Sequence, residues 1–291
     1  MRYSFVLNVA ECKMLIAKGL ANIPEVKQAL AGGRILIKGG TTGSAVSEAL
    51  GGPLLNVSGR ITPTGLRAAA RSPVPGIPWL LLRKGKAVPL HEPEAVISLA
   101  GEMGSGDLAI TGANLIDREG RAAIMIGAPL GGGRSWVLNL LAAEGVRIFI
   151  AAGLEKLCAS VPEAVAVTGR QTMDGSQGMA VGLLRLTGSL FTELEAISAL
   201  APVKAYVIGR GGIQGAEGGT TFLVEGAESD LNAFLTEIAE IKGAETSGTP
   251  ESLVSCEDGG GHCRDHLGCF RGSLKLTGNK KGNQVLGTDC D

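Results

Sequence analysis

Residues 34–50 read RILIKGGTTGSAVSEAL: a short apolar strand, a turn of glycines and hydroxyls, and a helix that opens on small side chains. Backbone N–H groups at a helix start lack intrahelical partners and sit at the positive end of the helix dipole, so this arrangement suits an anion. Gly39, Gly40 and Gly43 allow close backbone approach, and Thr41, Thr42 and Ser44 add hydroxyl donors. The plain alternative is an ordinary strand-to-helix turn with Thr or Ser as its N-cap.

Outward from this stretch, strand-like runs are expected at 35–38, 54–57, 79–83, 108–112, 122–126 and 147–151. Helical spacing falls at 11–31 in two pieces about Pro24, and at 44–50, 92–100 and 134–144. Alternation of this kind predicts an α/β fold, a Rossmann-like and mostly parallel sheet with helices on both faces. Ligands bind such sheets outside the carboxyl ends of the strands. Three glycine-rich segments are expected at that edge: GGTTG, GANLID after 108–112, and GAPLGGGRS after 122–126.

The composition narrows the partners. Among 291 residues, 27 basic and 28 acidic side chains nearly cancel, which gives no general electrostatic case for nucleic acid or an anionic membrane. The few aromatics offer little base-stacking surface. No apolar run approaches a membrane span, and the N-terminus lacks a persuasive cleavage site, so the expectation is cytoplasmic. A small-molecule ligand is the default partner, and a homo-oligomer is compatible with this composition. Cys12 and Cys158 sit in helix-like segments and read as buried, inert thiols. We divide the chain into an α/β domain at 1–175, a smaller α+β domain at 180–243, and a glycine-rich Cys/His tail at 244–291.

With its three loops in place, the first domain resembles the superfamily of ribose-5-phosphate isomerase, glucosamine-6-phosphate isomerase and the CoA transferases. It is most similar to the sugar-phosphate sensor domain of DeoR-type repressors. ILIKGGTTGSAVSEAL resembles their strand, Gly-Thr-Thr loop and helix, SGRITPTG their Gly-Arg turn, and DLAITGANLIDREGRAAIMIG their Asp- and Gly-bearing segment, over about residues 30–155. The resemblance implies a phosphorylated metabolite with its phosphate on Gly40, Thr41, Thr42, Gly43 and Ser44. About 30 residues precede the domain, with no basic recognition helix, which argues against a DNA-binding repressor.

GANLID also resembles the acidic catalytic stretch of ribose-5-phosphate isomerase, but Asn114 stands where a carboxylate would be, and an amide is no general base near neutral pH. Asp117 remains as a proton-transfer candidate; its alternative role is to cap the turn into Arg118, Glu119 and Gly120. Lys38 and Arg134 are candidates to stabilise an enediolate. Lys38, Arg60 and Asp107 fall at strand ends or turns, and Arg60 and Asn114 join Gly39 and the loop residues as ligand-binding candidates.

GAPLGGGRS falls short of a P-loop, because Ala128 and Arg134 occupy its Gly and Lys positions. Gly132, Gly133 and Arg134 still form a glycine nest suited to a second anionic group. GGIQGAEGG reads first as a hairpin, with Glu217 a remote counterpart of a CoA-transferase nucleophile. His91 reads as a surface or cap residue.

In the tail, Cys256, Cys263, His266 and Cys269 follow a C-x6-C-x2-H-x2-C spacing, which suits a structural zinc ion. The leading expectation is a protein that binds a phosphorylated small metabolite, acting as a sensor or a weak isomerase. An acyl or CoA transferase and a metal-dependent interaction module are the alternatives.

Overall fold

The computed structural model describes residues 1–63, 65–68, 76–129, 135–249 and 269. The chain opens with strand β1 (Arg2–Leu7), helices α1 (Val9–Asn22) and α2 (Pro24–Gly32), strand β2 (Arg34–Lys38) and helix α3 (Thr41–Ala49). Next come two hairpins, β3 (Gly59–Thr62) with β4 (Gly65–Ala68), and β5 (Trp79–Arg83) with β6 (Lys86–Leu90). Helix α4 (Pro93–Ala100) leads to β7 (Leu108–Thr111), β8 (Leu115–Ile116), β9 (Ala122–Ile126), α5 (Val137–Ala143) and β10 (Arg147–Ala151). The remaining elements are α6 (Val161–Val167), β11 (Gly182–Leu186), β12 (Ser189–Phe191), α7 (Glu193–Leu200), β13 (Lys204–Gly211), β14 (Gly219–Glu225) and α8 (Glu228–Ile241).

The central sheet has six strands in the order β12-β10-β7-β2-β5-β6, so the fold is α/β as expected. Strands β12, β10, β7 and β2 are parallel neighbours, while β5 and β6 extend the sheet antiparallel beyond β2. Both faces are covered, and the pleat explains why. On β2, Ile35 and Ile37 enter one hydrophobic core while Leu36 enters the other, and all three are fully buried. Leu108 and Ile110 face the first core and Ala109 the second; Phe149 and Ala151 face the first, Ile148 and Ile150 the second.

Helices α1, α2, α3, α7 and α8 fill the first core, together with Phe222 and Val224 of β14. Helices α4 and α5 fill the second, with Ile116, Ala122, Ile124 and Leu186 from a three-stranded sheet ordered β11-β9-β8. Each fully buried aliphatic side chain contributes about 1.5–3 kcal/mol, so the two cores outweigh any single polar contact.

Several expected elements differ. Residues 54–57 form no strand; Asn56 makes only an isolated bridge to Thr249. Strand β9 is present, but it folds back on β8 around Gly120, whose φ of 74° suits glycine, and it lies outside the central sheet. Residues 130–134 of the glycine-rich loop after it lie outside the described residues. Cys158 is half-buried and follows a 3-10 turn (Leu154–Lys156) rather than lying in a helix.

Strand pairing also crosses the expected division at 175–180: β11 pairs with β9, β12 with β10, and β14 with β1. The third sheet, ordered β1-β14-β13, shares its core with α1 and α8, where Phe5 stacks on Phe222 at 5.5 Å between ring centroids.

Two buried carboxylates fix the elements that carry the site. Asp107 accepts from the N–H of Arg34 at 2.8 Å and of Gly104 at 3.0 Å, and pairs with the Arg34 guanidinium at 3.3 Å, so it joins the starts of β7 and β2. Glu11 completes a capping box with Asn8 and accepts from Gly243 N–H and Lys242 Nζ, each at 2.9 Å, which ties the end of α8 to the start of α1.

Helices α1 and α7 cross closely at Gly19, where a β-carbon would meet Ala196 Cα at 2.5 Å and Cβ at 2.6 Å. Gly19→Ala should lose stability in urea unfolding, because overpacking costs about 1–3 kcal/mol and alanine's helix propensity returns at most about 1. Gly32→Ala, which faces open space, should show no loss. Equal stability of the two variants would contradict this packing.

Candidate functional site

From β2 the chain runs to β5 and β6 on one side, then returns to lay β7 on the other side of β2 and continues outward to β10 and β12. Its winding reverses between β2 and β7. In open α/β sheets the carboxyl ends at such a reversal frame the ligand crevice. Here they are Lys38 with the Gly39–Ser44 loop, and Thr111 with Gly112, Ala113 and Asn114.

The loop after β2 divides its groups between fold and crevice. Gly39 N–H donates to Pro78 O at 2.9 Å, and a side chain at Gly39 would strike the Asn56 and Pro78 carbonyls. Gly40 is the N-cap of α3 with φ of 143°, and it caps with no side chain. Gly43 packs against the Lys38 carbonyl, leaving no room for a β-carbon. Ser44 is buried, and its hydroxyl oxygen accepts from Leu55 N–H at 2.9 Å, so it braces the loop from behind. The N–H groups of Thr41, Thr42 and Gly43 occupy the first turn of α3, where no intrahelical acceptor exists. Thr42 Oγ1 is buried without a hydrogen-bond partner among the described residues. Lys38 is half-buried beside this turn, and burial pushes its ammonium pKa below the usual lysine range.

A second cationic station lies two strands away, where the chain leaves β10 through Ala152, Gly153 and the 3-10 turn Leu154–Lys156. Lys156 Nζ lies 3.9 Å from Glu155 Oε1, beyond hydrogen-bond distance. Burial lowers the Lys156 pKa, and the charge of Lys13 from the first turns of α1 adds to that effect. Lys13 is itself lowered by burial and partly restored by Glu155. Glu193, at the start of α7, completes the group; burial and the neighbouring Glu155 charge push it up to about 7. Cys12 is buried there, and burial and Glu193 push its thiol pKa upward.

Two half-buried ammonium groups that repel each other across a loosely held carboxylate form an anion-seeking arrangement. Sequence reasoning missed it because Lys13 and Lys156 are 143 positions apart. The signal was nevertheless present, since Gly-Leu-Glu-Lys directly follows an apolar strand, as GGTTG does.

Other expected residues are engaged differently. Asp117 is buried and accepts from the N–H groups of Glu119 and Arg121 at 3.1 Å each, from Val161 N–H at 3.0 Å and from Arg121 Nε at 2.7 Å. Burial alone would raise its pKa, but the Val161 and Arg121 donors hold it below the ordinary carboxylate value. A carboxylate so saturated is a weak base; its bonds close the β8–β9 turn and anchor the start of α6, as the turn-capping reading expects.

Asn114 Oδ1 accepts from Met125 N–H at 3.0 Å, and its own N–H donates to Ala123 O, so it continues the β8–β9 ladder. Arg60 is exposed on the β3–β4 hairpin, outside the central sheet. Glu217 is exposed in the β13–β14 hairpin and accepts from Gly215 N–H at 3.0 Å. Gly132, Gly133 and Arg134 lie outside the described residues, as do Cys256, Cys263 and His266. Cys269 is half-buried and bridges Ser176. No helix of the described residues is long and apolar enough to cross a membrane.

Fold and site together define a layered α/β protein with half-buried lysines at two places along the carboxyl edge of its sheet. No family model matches the chain. No curated protein matches it either. Among solved structures it is similar to ribose 5 phosphate isomerase A from Neisseria gonorrhoeae, at 14% identity and a TM-score of 0.27, over 85% of this chain and 97% of that one. An overlap that slight carries no functional argument.

Asp117→Asn should destabilise the protein by about 2–3 kcal/mol near neutral pH, the scale of weakened charge-assisted hydrogen bonds. A carboxyl group held below its unfolded value stabilises the fold above that value and loses the contribution as pH falls through the folded one. The gap between wild type and variant should therefore be constant above about pH 5 and narrow below about pH 4. A gap independent of pH in urea titrations would contradict the assigned role.

Proposed function

We propose that the chain binds a phosphorylated small metabolite along the carboxyl edge of its central sheet. The observation that carries this reading is the first turn of α3, whose N–H groups have no intrahelical acceptor and whose buried Thr42 hydroxyl has no partner among the described residues, at the reversal of winding and beside Lys38. The second station, Lys13 with Lys156, supports a ligand long enough to span about 10 Å, the spacing of two strand intervals. A sugar phosphate has that reach, with its phosphate at one station and its polar or anionic remainder at the other.

Binding is better supported than isomerisation through Asp117, since that carboxylate is committed to the β8–β9 turn. A sensor role follows more readily than rapid turnover. Glu217 in its exposed hairpin lends no support to a CoA-transferase nucleophile.

A thermal-shift screen with sugar phosphates tests the reading. Ligand at a hundredfold excess over its dissociation constant should stabilise wild type by about 2.7 kcal/mol. Thr41→Glu places a carboxylate at a helix start, which the dipole tolerates, so the variant should fold yet lose the response through repulsion of phosphate. If no phosphorylated metabolite shifts wild type, or Thr41→Glu responds equally, the proposal fails.

A further inference from the structure

At the second station the two carboxyl groups are held together. Glu155 Oε2 fills the place a β-carbon on Gly153 would take, and that place lies 3.0 Å from Glu193 Oε1, so the two carboxyl groups are neighbours beside Gly153. Donors are unequally divided between them. Glu193 is fully buried and accepts from Leu154 N–H at 3.2 and 2.9 Å, with its own N–H and the Cys12 thiol as further donors. Glu155 Oε2 is buried with no hydrogen-bond partner among the described residues, and its other oxygen reaches Lys156 only at 3.9 Å. Two buried carboxylates side by side are costly to keep fully ionised, because burial and the like charge both oppose it. One proton removes the cost: the protonated carboxyl becomes a donor, and an unpartnered oxygen of the other can accept it.

The neighbouring charged groups leave that proton to the pair. On α1, Glu11 is committed to Asn8, Lys242 and Gly243, the Cys12 thiol is held neutral by burial, and Lys13 is a half-buried cation. On α7, Glu195 is occupied by the Thr192 capping box. Strand β14 packs beside the turn and carries at its start the Thr220 hydroxyl, buried without a partner among the described residues. Lys156 completes the surroundings. An anion seated on Lys13 and Lys156 would stand next to the carboxyl pair and disfavour its ionised form, so the pair would gain a proton as the anion arrives.

We propose that Glu155 and Glu193 hold one proton between them, and that an anionic ligand at Lys13 and Lys156 draws a further share of that proton from solvent onto the pair. The second station thus takes up its anion together with a proton. This deepens the phosphometabolite reading and rests on it for the identity of the anion. The balance is simple: solvent supplies the proton, a carboxylate oxygen receives it, and no bond of the ligand changes. The raised titration of Glu193, about 7, lets this happen near neutral pH.

Sulfate is a suitable probe because it does not titrate near neutrality. Carboxyl 13C NMR of the ligand-free full chain should show one Glu titrating near pH 7, lost in Glu193→Gln. In Glu155→Gln, at the less buried position, the remaining carboxyl should titrate closer to the ordinary range, because its like-charged neighbour is gone. Calorimetric titration of sulfate at pH 7 in two buffers of different ionisation enthalpy should then reveal net proton uptake in wild type. Glu193→Gln should abolish that uptake.

No Glu titrating above pH 6, or sulfate binding without proton uptake, overturns the inference. Absence of sulfate binding overturns the anion reading of the edge and the coupling with it, while the ligand-free titration by itself still decides the shared proton.

Discussion

The side chains of β2 alternate between two hydrophobic cores, and the architecture depends on that alternation. Ile35 and Ile37 on one face and Leu36 on the other are all fully buried, so both faces of the sheet must be covered. Helices α1, α3 and α7 cover one, and α4, α5 and the β11-β9-β8 sheet cover the other. With the faces closed, the carboxyl edge of the parallel strands is where backbone N–H groups and charged side chains stand beside a crevice. Asp107 pins β7 to β2 on the opposite edge and so sets the pair of strands between which that crevice opens.

The candidate site is built from desolvation rather than from ion pairing. Lys38, Lys13 and Lys156 are all depressed by burial, and Glu155 Oε2 has no hydrogen-bond partner among the described residues. Buried charges in this condition favour a ligand that completes them. The same side chains would be unremarkable on a solvated face. Their meaning comes from the packing of α1 against α3 and α7, which brings the first turns of α1 to the ends of β10 and β12.

Much of the local structure was legible in the sequence, because it follows from short-range rules. The β2-loop-α3 unit announced itself through an apolar run, three glycines and small helix-opening residues. What escaped were the long-range pairings. Strand β1 alternates in exposure, yet its partner β14 lies more than two hundred positions away, and no local pattern specifies that register. Strand β9 has the apolar run of a central strand; the Asp117 turn sends it back onto β8 instead. Asp117 itself was legible as an important acid, but its four donors show themselves only in three dimensions. Glu155 and Glu193 lie 38 positions apart and are joined only by the fold around Gly153.

The central claim is that the open helix start of α3 holds the anionic group of the ligand. It is tested most directly by diffraction from crystals of the full chain soaked with tungstate, a heavy-atom mimic of phosphate and sulfate. The account predicts an anomalous peak within hydrogen-bond distance of the Thr41, Thr42 or Gly43 N–H groups. A well-occupied peak elsewhere, with that helix start filled only by water, would contradict it.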